Sequence, residues 1–509
     1  MNTHYIEKIL RAKVYDVAVE TPLDKAPSLS ARLDQQVYLK REDLQPVFSF
    51  KLRGAYNKMM SLTPEQLSMG VIAASAGNHA QGVALAAKKL GIKALIVMPQ
   101  TTPEIKIKSV KAYGAKTVLF GDSYDDAYAH ARLLALEKNL VFIHPYDDPD
   151  VIAGQGTVAV EILRQHAGNI HAIFVPVGGG GLVAGIAAYV KFVRPETKII
   201  AVEPDDADCL NQALIAGERV ILPQVGLFAD GVAVKQIGEE TFKLAQQYVD
   251  AVITVSTDEI CAAIKDIFDD TRSVTEPAGA LAIAGLKKYA ESLDVKQQTL
   301  VAIASGANIN FDRLRYVAER TSVGEHREIL LAVAIPETPG SFLKFCKILG
   351  KRSITEFNYR YFDAHMAQVF AGISSSGLEH DRSQLIEQLQ IEGFAVTDMT
   401  YSELAKDHVR YMVGGHAPGE LLETVYSLQF PERPGALLKF LSALGSQWNI
   451  SLFHYRNHGA AFGKVLIGLQ LGERRDAFEA CLHQLGLSYQ CETQNPAYIL
   501  FAGGGNVNK

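Results

Sequence analysis

Cysteine is scarce in this sequence of 509 residues, and the few cysteines lie far apart. They stand at Cys209, Cys261, Cys346, Cys481 and Cys491. Because no two of them form a Cys-x-x-Cys pair, the pattern argues against a cysteine-rich zinc site, and the odd number argues against a disulfide scaffold. This usage favours a reducing compartment.

Long apolar runs and an excess of basic residues are also missing. No run approaches the ~18 apolar residues that a membrane-spanning helix needs. The first 23 residues carry charges at short intervals and lack the apolar core of a signal peptide. The net charge of −6 gives no overall basic surface for nucleic acid. We therefore expect a cytoplasmic protein without membrane or nucleic-acid partners.

What the sequence does contain is an alternation of short apolar runs and amphipathic stretches between about residues 65 and 310. Strands separated by helix-length segments predict βαβ units around a parallel sheet, which fits an α/β fold. The predicted strands are residues 71–75, 94–99, 116–120, 172–177, 198–204 and 299–306. The predicted helices between them include residues 79–91 and 123–139.

An internal repeat follows residue 320. The stretch IPETPGSFLKFCKILG (335–350) resembles FPERPGALLKFLSALG (430–445), at an offset of 95. One inserted residue later, ITEFNYR (354–360) matches ISLFHYR (450–456). Each copy predicts a strand, a Pro-Gly turn, a helix and a strand, so the repeat indicates two copies of a small α/β module.

The first chemically suggestive segment is VFSFKLRGAYN, residues 47–57. Lys51 stands between Phe50 and Leu52, and an apolar neighbourhood disfavours the charged ammonium and makes the amine nucleophilic, as a Schiff base requires. The alternative is a lysine at a helix start whose charged end reaches solvent.

The second segment is ASAGNHAQGVA, residues 74–84, where small residues lead into a helix near Asn78 and His79. A helix start offers N–H groups to an anion such as a carboxylate. Asn78 could instead be a simple N-cap, and a histidine at such a position is more often structural than a catalytic base.

Four consecutive glycines, Gly178 to Gly181, follow a predicted strand and precede a predicted helix. Successive glycine amides can turn toward a phosphate without steric conflict, and the helix dipole adds attraction. A flexible loop is the alternative. The fourth segment, IASGANIN (303–310), ends the last strand, and Ser305 there could meet a ring nitrogen or form an ordinary Ser-Gly turn.

In this order, SFKLRGA, ASAGNHAQG, GGGG and SGAN resemble the fold type II (tryptophan synthase β-like) pyridoxal-phosphate enzymes, and more closely the biosynthetic threonine dehydratases (threonine ammonia-lyases). The resemblance covers the whole chain. It implies a catalytic domain with two α/β sub-domains at residues 1–320. The segment TSVGEHRE (321–328) is polar and carries a glycine, which predicts a linker. Two ACT-like regulatory domains would follow at 329–403 and 424–504.

The resemblance also implies residue roles. The cofactor would be pyridoxal 5'-phosphate, bound covalently by Lys51, the catalytic residue, with Phe50 beside it. Asn78 would bond its phenolic oxygen and Ser305 would face its ring nitrogen. Its phosphate would be held by Gly178, Gly179, Gly180, Gly181 and the amide of Leu182. The substrate carboxylate would be held by Ser75, Ala76, Gly77 and His79.

The implied reaction is elimination of water from L-threonine, and more weakly from L-serine, to yield 2-oxobutanoate and ammonia for isoleucine synthesis. Isoleucine would inhibit and valine would relieve the inhibition, in a homotetramer. The alternatives are a catabolic serine/threonine dehydratase and a fold type II β-replacement synthase. A non-enzymatic amino-acid sensor would need an inert Lys51.

Two departures from the related serine racemases are visible. Ala76 replaces the serine that serves there as the base on the opposite face, which disfavours racemisation. Those enzymes bind a divalent cation through acidic residues after a strand like IIAVEP. Glu203 is present here, but Cys209 replaces the expected aspartate, so we expect no metal.

Overall fold

The computed structural model contains two compact units, Met1–Thr321 and Ser322–Lys509. No helix within the described part of the chain is both long and apolar enough to cross a membrane. The structure describes residues 3–121, 123–226, 228–311, 313–325, 327–336, 338, 340–350, 352–360, 365–376, 379–402, 405–406, 409–411, 423–431, 436–444, 447–456, 462–472, 474–495 and 498.

The first unit contains a small, fully parallel sheet in the order β5-β4-β3-β6. Its strands are β3 (Val71–Ala74), β4 (Ala94–Met98), β5 (Lys116–Leu119) and β6 (Val141–Phe142). The helices around it are α3 (Lys51–Met60), α4 (Pro64–Met69), α5 (Asn78–Leu90), α6 (Glu104–Ala112) and α7 (Tyr124–Glu137). Apolar side chains on both faces of β3 are buried, as expected for a sheet covered on two sides.

A larger sheet of the same unit runs in the order β1-β2-β10-β7-β8-β9, and β1 is its antiparallel strand. The strands are β1 (Leu23–Lys25), β2 (Gln36–Arg41), β7 (Ala172–Pro176), β8 (Lys198–Pro204), β9 (Ala251–Val255) and β10 (Thr299–Ala304). The remaining helices are α1 (Thr3–Leu10), α2 (Pro27–Leu33), α8 (Pro149–Gln165), α9 (Gly181–Val193), α10 (Cys209–Ala216), α11 (Glu239–Tyr248), α12 (Thr257–Thr271), α13 (Pro277–Glu291) and α14 (Arg313–Gly324).

All six strands and both helices predicted from the sequence are present, with ends that differ by one or two residues. The segment predicted as a linker, residues 321–328, is different. Helix α14 continues through it as far as Gly324, and the next strand begins at Glu328. The Thr321 hydroxyl, at the end of the first unit, donates to the carbonyl oxygens of Val317 and Cys261. Gly324, the glycine of the predicted linker, is the last residue of helix α14.

The second unit has one continuous sheet in the order β14-β11-β13-β12-β16-β17-β15-β18. Its strands are β11 (Glu328–Pro336), β12 (Ile354–Arg360), β13 (Met366–Ser374), β14 (Ala395–Asp398), β15 (Thr424–Pro431), β16 (Asn449–Arg456), β17 (Phe462–Gln470) and β18 (Tyr489–Cys491). Its helices are α15 (Ser341–Leu349), α16 (Glu379–Ile391), α17 (Ala436–Leu444) and α18 (Arg475–Gln484).

The repeat detected in the sequence is confirmed by this sheet. Strands β12 and β16, which carry the matching ITEFNYR and ISLFHYR, pair antiparallel at the centre and join the two copies. Each copy also repeats a side-chain contact at the start of its sheet. The Thr355 hydroxyl donates to Glu328, and the Ser451 hydroxyl donates to Glu423 at the equivalent place. Pro339, Pro434 and Gly435 of the predicted turns lie outside the described residues.

Four fully buried charges fix helix α3 in the first unit. The Arg53 guanidinium bonds Glu42 at 2.8 Å and Glu161 at 2.6 Å, and the Lys40 amine lies 2.6 Å from Glu161. Helices α3 and α8 approach closely beside this network, since a Cβ on Gly154 would lie 2.7 Å from the Arg53 carbonyl oxygen. Because each buried charge has a partner, the network is tolerated and sets the position of α3.

Removing one member of this network leaves a buried charge without its partner. We expect Glu161→Gln to lower the free energy of unfolding by about 3–5 kcal/mol, measured by denaturant titration. Glu20→Gln removes the exposed ion pair with Arg164 and should cost less than about 1 kcal/mol. Equal effects of the two substitutions would contradict this assignment.

Candidate active site

Lys51 is the first residue of α3, and it is partly buried. The amine lies 3.3 Å from the Pro145 carbonyl oxygen and 5.3 Å from the centre of the Phe50 ring. Burial lowers the pKa of Lys51 to about 8, and the carboxylate of Glu276 acts in the opposite direction. A substantial fraction of this amine is therefore neutral and nucleophilic near physiological pH.

The segment before Lys51 pairs with the segment that ends strand β10. Ser49 and Gly306 form a β-bridge. The Phe50 amide donates to the Ser305 carbonyl oxygen at 3.4 Å, and the Ala307 amide donates to the Phe48 carbonyl oxygen at 2.9 Å. Two of the four predicted segments, far apart in the sequence, therefore meet at the lysine.

The start of helix α5 lies against the same lysine. A Cβ on Gly82 of α5 would lie 3.1 Å from the Lys51 carbonyl carbon, a closer contact than most Cβ atoms make, so the glycine favours this approach. Helix α5 starts after Gly77 without a capping side chain. The Ser75 hydroxyl accepts from the Gly77 amide at 3.2 Å, and Ala76 lies between these two. A Cβ on Gly77 would meet no atom within 4 Å, so the loop is open on that side.

His79 belongs to this segment, but its side chain is engaged elsewhere. Its ring Nε2 lies 3.0 Å from the Ile143 carbonyl oxygen, and the residue is 3 % exposed. Burial lowers the pKa of His79 to about 3, helped by the charge of Lys51. The ring is thus a neutral structural group, and its backbone is what it offers to the loop.

The tetraglycine loop connects strand β7 to helix α9. Gly180 has φ of +90°, which favours glycine, and it precedes α9 without a capping side chain. A Cβ on Gly179 would lie 2.2 Å from the Tyr146 ring. Tyr146 follows Pro145, whose carbonyl contacts the Lys51 amine, so the loop and the lysine share one neighbour. Leu182, in the first turn of α9, is 4 % exposed.

Ser305 ends strand β10 and is 4 % exposed. Its hydroxyl donates to the Ala278 carbonyl oxygen in the first turn of α13 at 3.1 Å. The hydroxyl therefore lies in the same enclosed region as the segment that carries Lys51, since the Ser305 carbonyl accepts from Phe50.

The sequence analysis did not identify Glu276 and Asn308 as site residues. The Asn78 side-chain amide donates to Glu276 at 2.5 Å, and its oxygen accepts from Asn308 at 2.6 Å. Asn308 belongs to the SGAN segment, so the motif itself carried that signal. Glu276, in the apolar stretch VTEPAGALA, could have been found as a lone acid in a buried surrounding.

Glu203, where related enzymes use acidic residues for a cation, serves here as a helix cap. Its carboxylate accepts from the backbone amides of Leu210 at 2.9 Å and Asn211 at 2.8 Å, at the start of α10. Burial raises the pKa of Glu203 to about 8. The two backbone amides thus donate to both oxygens of the Glu203 carboxylate.

The arrangement fits a cofactor that has an aldehyde and a phosphate. A nucleophilic lysine suits the aldehyde. The glycine loop, packed so tightly that Cβ atoms are excluded, leads into a helix start that has no capping side chain and suits a phosphate. A second uncapped helix start, at α5, suits a substrate carboxylate.

Comparison with known proteins agrees with this fit. Residues 14–306 match the family described as pyridoxal-phosphate dependent enzymes. The fold and site thus define a pyridoxal-phosphate enzyme of fold type II, with pyridoxal 5'-phosphate as its cofactor. Residues 319–409 and 414–501 match the C-terminal regulatory domain of threonine dehydratase.

The chain belongs to the biosynthetic threonine dehydratase family. It is 58% identical to the biosynthetic L-threonine dehydratase of Burkholderia multivorans over 98% of this chain and 99% of that protein. The Escherichia coli protein of the same name is 54% identical, over 98% of this chain and 97% of that one.

Solved structures give the same result for the first unit. A processed threonine deaminase isoform 2 from Solanum lycopersicum is 53% identical, with a TM-score of 0.61, over 62% of this chain and 92% of that one. Serine racemase from Dictyostelium discoideum is 32% identical, with a TM-score of 0.56, over 60% of this chain and 99% of that one.

The depressed pKa of Lys51 makes a kinetic prediction. Because only the neutral amine attacks an aldehyde, cofactor capture by the cofactor-free protein should accelerate as the pH rises through about 8 and level off above it. Rapid mixing followed by visible absorbance measures this rate. A rate that keeps rising toward ~10.4, the pKa of an ordinary lysine, would contradict the assignment.

Proposed function

We propose that this chain converts L-threonine to 2-oxobutanoate and ammonia by eliminating water. The observation that carries the proposal is the partly buried, low-pKa Lys51 between two helix starts that lack capping side chains. Membership of the biosynthetic threonine dehydratase family supports this substrate and a place in isoleucine synthesis. L-Serine, smaller by one methyl group, is the weaker substrate.

Each site residue has a proposed task. Pyridoxal 5'-phosphate, when bound, supplies an electron sink for the charge that develops at the substrate α-carbon. The Lys51 amine takes the α-proton, a task that suits a base with a pKa near the working pH. When the cofactor is bound, Asn78 would donate to its phenolic oxygen and Ser305 would interact with its ring nitrogen.

Anion binding is assigned to backbone amides. The amides of Gly178 to Leu182 hold the phosphate, because the loop packs against Tyr146 and leads directly into α9. The loop from Ser75 to His79 holds the substrate carboxylate at the start of α5. Both anions are thereby oriented without a charged side chain, which leaves the Lys51 amine as the base.

Lys51→Ala should abolish turnover and the visible absorbance of the lysine-bound cofactor, because the substitution removes the amine that makes that bond. A coupled assay for 2-oxobutanoate and an absorbance spectrum test this. Lys58→Ala is the matched control on the same helix, since Lys58 pairs with Asp148. Full activity of Lys51→Ala would refute the proposed function.

We further propose that the second unit binds isoleucine as an inhibitor, with valine relieving inhibition. A pocket in this unit lies at the start of α15 and the end of α17, between the two copies of the repeat. Gly340, with φ of +94°, precedes α15 without a capping side chain. A helix start without a capping side chain suits the carboxylate of an amino acid.

The pocket wall has both polar and apolar groups. The indole Nε1 of Trp448 is buried and has no hydrogen-bond partner among the residues that the structure describes, so it can donate to a bound carboxylate. Phe342, Leu441 and Leu444 form an apolar wall that suits a branched aliphatic side chain. An effector acts if it binds two conformations unequally, with a typical coupling of about 1–3 kcal/mol.

Trp448→Phe removes the indole N–H and keeps an aromatic ring. We expect the isoleucine concentration for half-inhibition to rise about five- to tenfold, in line with one lost hydrogen bond, and the uninhibited kcat to stay unchanged. Inhibition assays at fixed threonine measure this. Unchanged inhibition would remove the pocket as the effector site.

The homotetramer and the cytoplasmic location stay predictions from the sequence.

A further inference from the structure

Glu276 stands at the start of helix α13 but does not act as its cap. It occupies the N-cap position, directly before Pro277, and its side chain makes no capping hydrogen bond. The residue is 4 % exposed. Its carboxylate bonds the Asn78 side-chain amide at 2.5 Å. The Glu276 carboxylate thus bonds the Asn78 side chain and not the backbone amides at the start of α13.

The surrounding backbone leaves room for this carboxylate. A Cβ on Gly306 of the SGAN segment would lie 2.5 Å from the Glu276 Oε1, and a Cβ on Gly231 would lie 3.6 Å from the same atom. The Glu276 amide also donates to the Gly306 carbonyl oxygen at 3.1 Å. Gly306 is therefore required here because a side chain at that position would displace the carboxylate.

Asn78 is held from both ends of its amide. Its oxygen accepts from the Asn308 Nδ2, which also donates to the Val47 carbonyl oxygen at 2.8 Å. Its nitrogen donates one hydrogen to Glu276. This pattern sets which end of the amide is nitrogen, and it leaves one N–H hydrogen for another acceptor.

We propose that Glu276 is a positioning residue that holds the Asn78 amide with its free N–H toward the cofactor's phenolic oxygen and supplies negative charge beside Lys51. The proposal rests on the proposed role of Asn78. Glu276 itself contacts neither substrate nor cofactor in this assignment, and it acts through Asn78 and through its charge.

Burial and the neighbouring charged groups place the pKa of Glu276 near neutral pH. Burial raises the pKa of Glu276 to about 7, and Asp230 adds to the rise. Asn78, the charge of Lys106 and the Asn308 backbone amide act in the opposite direction, and Lys106 itself pairs with Asp230 at 2.7 Å. The carboxylate in turn raises the pKa of Lys51. Removal of its charge should therefore lower the pKa of the lysine.

Glu276→Gln and Glu276→Asp separate charge from position. Gln keeps the length and removes the charge, so the pH midpoint of cofactor capture by the cofactor-free protein should fall below the wild-type value. Asp keeps the charge and withdraws the carboxylate from Asn78. It should leave that midpoint nearly in place and lower kcat about tenfold or more, with a smaller change in KM for threonine.

Asp266→Asn is the matched control, because Asp266 is a buried carboxylate on α12 that pairs with Arg32 and Lys287 outside this site. It should lower the melting temperature and leave the pH midpoint and the cofactor spectrum unchanged. Asn308→Ala removes the other support of Asn78 and should lower kcat as Glu276→Asp does, which tests the proposal if a Glu276 variant does not fold.

The proposal is overturned if both Glu276 variants keep the wild-type midpoint, spectrum and kcat, or if they change only thermal stability, as the control does. That result would leave the proposed function intact, because Lys51→Ala tests the function separately. A Lys51→Ala protein that keeps the visible absorbance would instead remove the basis of both.

Discussion

The chemistry of the candidate active site depends on one lysine amine and on its partial burial. Lys51 begins α3 in surroundings that lower its pKa to about 8, which converts a normally charged side chain into a nucleophile and base. Around it, two helix starts keep backbone N–H groups free of capping side chains. Anionic groups of the ligands are thus bound by fixed dipoles, and the positive charge that a lysine normally supplies is not needed for that purpose.

Such an amine must be held accurately, and the scaffold does this from several directions. The buried ion network of Arg53 fixes α3, and close backbone contacts at Gly82 and Gly154 bring α5 and α8 against it. The pairing of residues 48–50 with 305–307 ties the lysine segment to the end of β10. Each support comes from a different part of the first unit, so the site forms only when that unit is folded.

Six strands of the first unit and the four segments that carry the candidate site were predictable from the sequence, because apolar strands and glycine-rich turns are local patterns. Strand β2 (QVYLKR) was not predicted, since its lysine and arginine resemble surface residues until their partners are known, Glu161 for Lys40 and Asp43 for Arg41. Glu276 was missed because its partner Asn78 is 198 residues away. The polar segment 321–328 indicated a linker, although its threonine bonds a distant helix. The errors thus lie where distant contacts override local composition.

The covalent link between Lys51 and the cofactor is the central claim, and chemical trapping tests it most directly. The protein, saturated with cofactor, is reduced with borohydride, digested and analysed by mass spectrometry. The account predicts that the added mass of the reduced cofactor is found on the peptide that contains Lys51. Label on a different lysine, or a Lys51 peptide without added mass, would contradict it.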